Sequence, residues 1–508
     1  MQPNKPPNIA DLMAAMQVSS ATDKRFASEA WQGQAPFKML ADAYLATSQA
    51  MLMSLDASAL APDEKKRAHF FLKQYLDAVA PSNFLATNPD ALKLAIDTKG
   101  ESIYGGIKNL QEDVERGQVS ITDQSAFKVG ENIAMSPGAV VFENEIFQLI
   151  QYAPVTKEVF LRPLLLVPPC INKFYILDLT PENSYIRYAV TQGHTVFVIS
   201  WRNVHEDLGH LTWDDYITHG VVKAVDTVRL ITNVEKINAL GFCVGGTLLA
   251  CALAVLRRMG HDVVESLTLL TTFVDFTDVG EIDAYIDGAF LAKREHEVGN
   301  GGIVNGAELA LAFSSLRAND LIWSYVVSNY LKGAKPPAFD LLYWNADSTN
   351  LPGPWYCWYL RHTYVENNLV KPDKVAVCGV PVDMSYVDMP SFVFAAKEDH
   401  IVPWRSAYAS AACLSGDVEF ALGASGHIAG VVNPASKNKR NYWTGGDVDG
   451  TPDDWMKTAK EIPGSWWSRW SEWLADFSGR KIAARNTPGN ANFPAIEPAP
   501  GRYVLEKS

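Results

Sequence analysis

One stretch limits what this chain can become. Ile237, Ala239 and Leu240 are apolar and lead straight into Gly241, and Thr247 to Leu256 is almost wholly aliphatic. That pattern predicts a strand, a sharp turn and a buried crossover helix. At the turn stand Gly241, Cys243, Gly245 and Gly246. This is the spacing of a strained strand-to-helix elbow that presents a nucleophile, with cysteine where serine usually stands. The glycines serve a mechanical purpose, because without Cβ atoms strand and helix can approach closely. The free N–H groups at the start of the helix point at the sulfur, which favours a thiolate and later an oxyanion. An isolated cysteine is most often a small buried hydrophobe. Cys243 reads as a nucleophile only if an acid and a histidine follow it in the right order.

Residues 1 to about 125 read as a helical N-terminal domain. Phe37, Leu40, Tyr44, Met51 and Leu55 recur at helical spacings, and Asn88-Pro89-Asp90 is a helix-start signal. Such helices ordinarily pack against something, or offer a docking surface to a partner. Residues 126–508 read differently. Alternation over Val140 to Tyr152 opens the strands; Leu164 to Val167 and Thr195 to Trp201 are short buried runs. A helix from Thr180 to about Gln192 separates the last two, and a long helix opens at Thr212 and runs to about Leu230. The elbow follows, and then a strand over Ser266 to Thr272. Strand–helix–strand repetition with continuous apolar strands predicts a parallel sheet covered on both faces, an α/β fold. From about 275 to 385 the sequence turns irregular and aromatic, which predicts a lid or cap inserted between sheet strands. The sheet resumes at Ser391 to Lys397 and at Val418 to Leu422. Residues from about 480 to 508, with Pro488, Pro494, Pro498 and Pro500, read as an extended tail along the surface.

The acid and the histidine appear where they are needed. Asp399 lies in the loop after the strand that begins at Ser391, and His427 follows the next strand, flanked by Gly426, Ala429 and Gly430. Nucleophile, acid and base at the ends of three sheet strands, in that order, are the signature of an α/β-hydrolase fold. His400 adjoins Asp399, but adjacent residues rarely face the same way, so it reads as a neighbour of the site. Thr212-x-x-Asp215 is a capping box. His194, His205, His210 and His219 read as ordinary. The net charge of −13 over 508 residues argues against a general nucleic-acid binder. The six scattered cysteines show no metal-ligand spacing, so no metal or redox cofactor is implied, and they fit a reduced, cytoplasmic protein. No run reaches the ~20 apolar residues of a spanning helix.

Longer motifs carry a resemblance. They are the Gly241-x-Cys243-x-Gly245-Gly246 box, Val167 to Asp178, Ser200-Trp-Arg-Asn203, Leu351 to Arg361, Glu398 to Trp404 and Ser425 to Gly430. Together they resemble the class I polyhydroxyalkanoate synthases, from about residue 30 to the end. The resemblance implies an acyltransferase that polymerises (R)-3-hydroxyacyl-CoA, 3-hydroxybutyryl-CoA foremost, to polyester with release of CoA. It implies a covalent cysteinyl thioester at Cys243, with His427 as base and Asp399 either orienting it or assisting the hydroxyl. The Val244 backbone N–H is the expected oxyanion donor, with a second from the loop near Val167 to Asn172. Lys437, Lys439 and Arg440 are the nearest basic cluster for the CoA phosphates. The implied partners are the CoA substrate and product, the nascent chain and granule surface, granule-associated proteins, and a second copy in a monomer–dimer equilibrium. The main rival is an esterase or thioesterase on the same fold, which would release the free hydroxy acid. A granule-coating protein with a dead fold is the other, and the intact Cys–Asp–His set speaks against it.

Overall fold

The computed structural model describes residues 20–508. They form two compact units: 20–126 with 283–285 and 311–343, and 127–282 with 286–310 and 344–508. The stretch expected as one cap, about 275 to 385, is therefore shared between the units.

The first unit is helical: α1 (Ala35–Asp56), α2 (Pro62–Ala78), α3 (Pro89–Asp97) and α4 (Glu101–Arg116). The Asn88 side chain accepts the Ala91 N–H, so the predicted cap of α3 forms. Phe26, Trp31 and Ala41 make a small core with Phe37, Tyr44 and Leu45 against it. The expected apolar face of α1 is only partly inward, because Leu40 and Met51 are exposed. α4 approaches the 326–331 turn so closely that a Cβ on Gly106 would stand 1.9 Å from the Tyr330 carbonyl oxygen.

The second unit is built on an eleven-stranded sheet. In chain order its strands are β1 (Gly138–Glu143), β2 (Phe147–Tyr152), β3 (Leu164–Val167), β4 (Val196–Trp201), β5 (Ile237–Phe242) and β6 (Val264–Leu270). Then come β7 (Ser391–Ala396), β8 (Val418–Gly423), β9 (Asn441–Thr444), β10 (Lys460–Pro463) and β11 (Glu497–Pro498). The spatial order is β10-β9-β8-β7-β6-β5-β3-β4-β2-β1-β11. Neighbours from β4 to β8 run parallel. Every residue of β3, β4, β5 and β7 is buried, as continuous apolar strands inside a parallel sheet must be. The edges are antiparallel: β1–β2, β2–β4 and β1–β11 on one side, β8–β9 and β9–β10 on the other. The strands β9 and β10 are not predicted from the sequence; they are short, and β10 is largely exposed, so they carry little apolar pattern.

The helices that matter for the site are α5 (Tyr185–Thr191), α6 (Lys223–Thr232), α7 (Val244–Arg258), α8 (Gly288–Val298), α9 (Gly353–Leu360), α10 (Trp404–Ala411), α11 (His427–Val431) and α12 (Trp467–Phe477). The capping box at Thr212 is closed in both directions: Thr212 N donates to Asp215 Oδ2 at 2.8 Å, and Asp215 N donates to Thr212 Oγ1 at 3.2 Å. Asp215 is thus structural, as its spacing predicts. The tail expected from about 480 is threaded through pairing: Lys481–Ala483 lies antiparallel to Glu158–Phe160, and β11 zips onto β1.

Candidate active site

The elbow has the geometry its glycines require. Cys243 sits between β5 and α7 at φ 53°, ψ −130°, a strained conformation for a non-glycine residue. Its N–H donates to the Leu270 carbonyl at 3.0 Å, which ties the turn to β6. A Cβ on Gly241 would stand 2.3 Å from Gly246 Cα. One on Gly245 would stand 2.2 Å from the Val167 carbonyl oxygen, and one on Gly246 2.1 Å from Thr272 Oγ1. Strand, helix, the loop after β3 and the loop after β6 therefore meet with no room for a methyl group. Val244 is the first residue of α7, so its N–H has no acceptor within the helix.

Asp399 and His427 arrive from β7 and β8, which pair in parallel with Ala396 opposite Gly423. Asp399 Oδ1 accepts the N–H groups of Ile401 and Val402, both at 2.8 Å. Its Oδ2 accepts from His427 Nδ1 at 2.7 Å. The ring also lies beside the Cys243 sulfur, close enough for the two to interact. The Asp399 side chain is fully buried and that of His427 is 4% exposed, whereas Cys243 is only half-buried. Burial opposes a charge on the imidazole, but the Asp399 carboxylate and the Cys243 sulfur outweigh it and push His427 up to about 10. The three predicted residues are thus brought together: acid bonded to ring, and ring beside sulfur.

Sequence reasoning missed what supports the ring. Trp466 Nε1 donates to the Gly430 carbonyl at 2.9 Å and Trp467 Nε1 to the Val431 carbonyl at 2.8 Å. A five-residue helix starting at His427 would otherwise leave the Gly430 carbonyl bare, whereas that of Val431 also accepts the Asn433 N–H at 3.0 Å. Phe242, the residue before Cys243, stacks on the imidazole at 5.7 Å. Tyr359 and Tyr364 were missed as well. Both are partly buried, their rings meet edge-on at 5.6 Å, and both lie near Cys243. Burial first, and the sulfur with it, raises both phenols, so they stay protonated. Phe276 packs edge-on against both rings. Trp213 stacks on Tyr359 at 5.5 Å and on Trp358 at 4.5 Å. Tyr359 lies inside the Leu351 to Arg361 motif, the only signal the sequence offered.

The remaining candidates are dispersed. Lys437 Nζ donates to Asn183 Oδ1 at 2.7 Å. Arg440 donates to the Ala429 carbonyl on the helix of His427, and Lys439 is exposed. His400 is half-buried in the loop whose next two N–H groups hold Asp399. His194 is buried against Phe160, ring to ring at 4.9 Å, and burial lowers it to about 4. His205 lies 3.7 Å from Glu506, and His210 and His219 are exposed. Among the described residues no group of three or more His, Cys, Asp or Glu side chains could hold a metal ion. No described helix is long and apolar enough to cross a membrane.

The strand order 1-2-4-3-5-6-7-8 within the sheet, the elbow after the fifth of these strands, and the acid and histidine after the seventh and eighth define an α/β-hydrolase. A sequence profile described as "alpha/beta hydrolase fold" matches residues 163–434, and one described as "Poly-beta-hydroxybutyrate polymerase (PhaC) N-terminus" matches 22–189. A poly(3-hydroxyalkanoate) polymerase subunit PhaC of Cupriavidus necator is 52% identical over 96% of this chain and 83% of its own length. Its counterpart in Rhizobium meliloti is 43% identical over 95% of this chain and 79% of its own length. Poly(3-hydroxyalkanoate) polymerase 1 of Ectopseudomonas oleovorans is 37% identical, over 96% and 87%. The chain belongs to the poly(3-hydroxyalkanoate) polymerase family.

Proposed function

We propose that this chain polymerises (R)-3-hydroxyacyl-CoA, 3-hydroxybutyryl-CoA foremost, through a thioester on Cys243, as a class I enzyme of its family. The observation that carries the reading is the Asp399–His427 hydrogen bond set beside Cys243 at the elbow, in a family whose named members are poly(3-hydroxyalkanoate) polymerases. In the first half-reaction the Cys243 sulfur attacks the substrate thioester carbonyl. His427 takes the thiol proton and returns it to the departing CoA sulfur. Exchange of one thioester for another is nearly even, so the acyl group stays activated; a serine ester would be more stable and less transferable. In the second, His427 takes the proton of a 3-hydroxyl whose oxygen attacks the acyl-cysteine, forming the ester and regenerating the thiol. Positioned proton transfer of this kind is typically worth ~10²–10⁴-fold. Both Asp399 oxygens already carry partners, which supports its orienting His427 rather than activating the hydroxyl.

The Val244 N–H is one oxyanion donor. The second comes from Cys170 to Asn172, because Pro168 and Pro169 before them have no N–H to give. The aromatic wall of Tyr359, Tyr364 and Phe276 limits the access of water, which would otherwise hydrolyse each acyl-cysteine. Arg440, which donates to the Ala429 carbonyl on the helix of His427, is the strongest of the three basic candidates for the CoA phosphates. Lys437 is engaged by Asn183, and Lys439 is free to join Arg440 only as a solvent-exposed charge. The helical residues before 126 serve contacts with the granule, its proteins or a second copy, and the protein works at the granule surface in the cytoplasm.

Purified protein given (R)-3-hydroxybutyryl-CoA tests this. CoA release with insoluble polyester is expected. CoA release with soluble 3-hydroxybutyrate would replace the polymerase with a thioesterase. Cys243→Ala should release no CoA while keeping the melting temperature of the parent.

A further inference from the structure

The loop after β3 runs directly over the elbow, since its Val167 and Pro168 carbonyl oxygens lie where a Cβ on Gly245 would fall. Its conformation is fixed by what its carbonyls bind. Pro168 accepts from Trp201 Nε1 at 2.8 Å, Cys170 from Thr349 Oγ1 at 2.7 Å, Ile171 from Thr349 N at 3.3 Å, and Lys173 from Trp344 Nε1 at 2.7 Å. In a trans peptide the N–H points opposite to the carbonyl of the same unit. The anchors at Cys170 and Ile171 therefore set the direction of the Ile171 and Asn172 N–H groups. Three of these four anchors come from residues 344–349, so the loop is only as well placed as that segment.

What places that segment is remote in sequence. Asp347 is buried, with one oxygen on Tyr175 OH and the other on Lys507 Nζ, both at 2.8 Å. Asn203 Oδ1 accepts the Asn350 N–H at 2.9 Å, while its Nδ2 donates to the Lys507 carbonyl at 2.6 Å. The buried ammonium of Lys173, the last residue of the loop, donates to the Glu506 carbonyl. Arg202 Nε reaches Glu506 Oε1 at 3.4 Å, which holds the strand of tail in place. Two consecutive residues thus join the oxyanion loop, the 344–350 segment and the end of β4.

We propose that Glu506–Lys507 is a positioning element for acyl transfer: through Lys173, Asn203 and Asp347 it sets the oxyanion loop, and so the rate, without touching substrate. The proposal rests on the acyl-transfer reading above. It separates two reactions of the same sulfur. Acyl transfer develops an oxyanion and needs the loop; alkylation of the thiol by iodoacetamide displaces iodide at a saturated carbon and does not.

The experiment measures kcat and KM for CoA release from (R)-3-hydroxybutyryl-CoA, and the iodoacetamide rate at Cys243 by mass spectrometry, for the parent, Lys173→Met, Lys507→Ala and Lys507→Arg. Removing an oxyanion donor outright costs ~10²–10³-fold, so a loosened loop should cost about tenfold in kcat for Lys173→Met and about threefold for Lys507→Ala. KM and the alkylation rate should stay within about twofold of the parent, and Lys507→Arg should recover most of the loss. Lys507 is 66% exposed, so its replacement leaves the fold intact even where Lys173→Met does not. If both Ala and Met variants keep the parental kcat, or alkylation falls by the same factor as turnover, the positioning role is wrong. Turnover that persists in Cys243→Ala instead overturns the underlying acyl-transfer reading.

Discussion

Gly245→Ala is the sharpest probe of how the elbow works. The new Cβ would stand 2.2 Å from the Val167 carbonyl oxygen and 2.5 Å from that of Pro168, where ordinary contact begins at 3.4 Å. Both obstacles are backbone, so no rotamer change relieves them. The loop after β3 must retreat from α7 by about 1 Å, since the deficit is the difference between those distances. Overpacking of this kind costs about 1–3 kcal/mol of stability. The functional loss should be larger in proportion, because a misplacement of about 1 Å in a catalytic arrangement costs on the order of 10²-fold. The displaced loop is the one proposed to carry an oxyanion donor. Gly288→Ala is the control: it starts a helix and its added methyl meets nothing within 4 Å. The assay is CoA release under saturating substrate beside thermal unfolding. Gly245→Ala should lose about 10²-fold in kcat with a modest drop in melting temperature, and Gly288→Ala should match the parent in both. A Gly245→Ala protein with parental kcat would refute the argument that the loop and the elbow must touch for turnover.

His427→Gln should abolish CoA release, by roughly 10²–10⁴-fold, while His400→Gln keeps most of it; equal losses would mean the base is misassigned. Asp399→Asn should lower kcat within the same range and leave KM nearly unchanged, because it alters the ring's tautomer and not the binding surface; a KM effect alone would remove the orienting role. Trp466→Phe leaves the buried Gly430 carbonyl without its donor. That should cost about 1–3 kcal/mol, read as an earlier urea midpoint, and an unchanged midpoint would show that the helix of His427 does not depend on it. His194 gives a pH dependence with a definite sign. Burial lowers it from 6.5 to about 4 in the folded state, so between these values the unfolded chain binds the proton and the folded one does not. Its contribution is intact above pH ~6.5 and is lost as the pH falls towards ~4, by about 2.5 kcal/mol at pH ~4.5. His194→Phe should therefore lose less stability than the parent between pH 7.5 and 4.5, and an equal loss in both would exclude His194 as the cause.

The parts of this fold legible in the sequence are those whose constraint is local. The elbow needs Gly241, Gly245 and Gly246 within six residues of one another, and the close approaches they permit leave the same signature in any chain. Buried parallel strands must be apolar on both faces, so β3, β4 and β7 announce themselves. Asp399 and His427 could be placed because each follows such a strand directly. What was illegible depends on partners far away in the chain. The indoles of Trp466 and Trp467 look like two more core aromatics until their N–H groups are seen on the carbonyls of Gly430 and Val431. Residues 311–343 are apolar and helical, and nothing in their spacing tells that they cluster with residues 20–126 and not with the sheet. The outward turn of Leu40 and Met51 is likewise a matter of which neighbour α1 finds.

Burial across the site is uneven, and the unevenness bears on the proposed chemistry. Asp399 and His427 are dry, while Cys243 is only partly buried. In a dry setting the carboxylate holds the imidazolium strongly, which is why the ring sits near 10 rather than 6.5. A ring so basic takes the thiol proton readily but returns it reluctantly. The leaving CoA sulfur and the attacking 3-hydroxyl both require that return or a fresh uptake. Acylation of Cys243 removes one of the two influences that raise the ring. Acylation of the sulfur therefore lowers the basicity of His427 toward the range in which it can exchange protons at neutral pH. On this reading the coupling between Cys243 and His427 resets the base at each step of the cycle, while Asp399, whose charge does not change, orients the ring and supplies the constant part of its raised basicity.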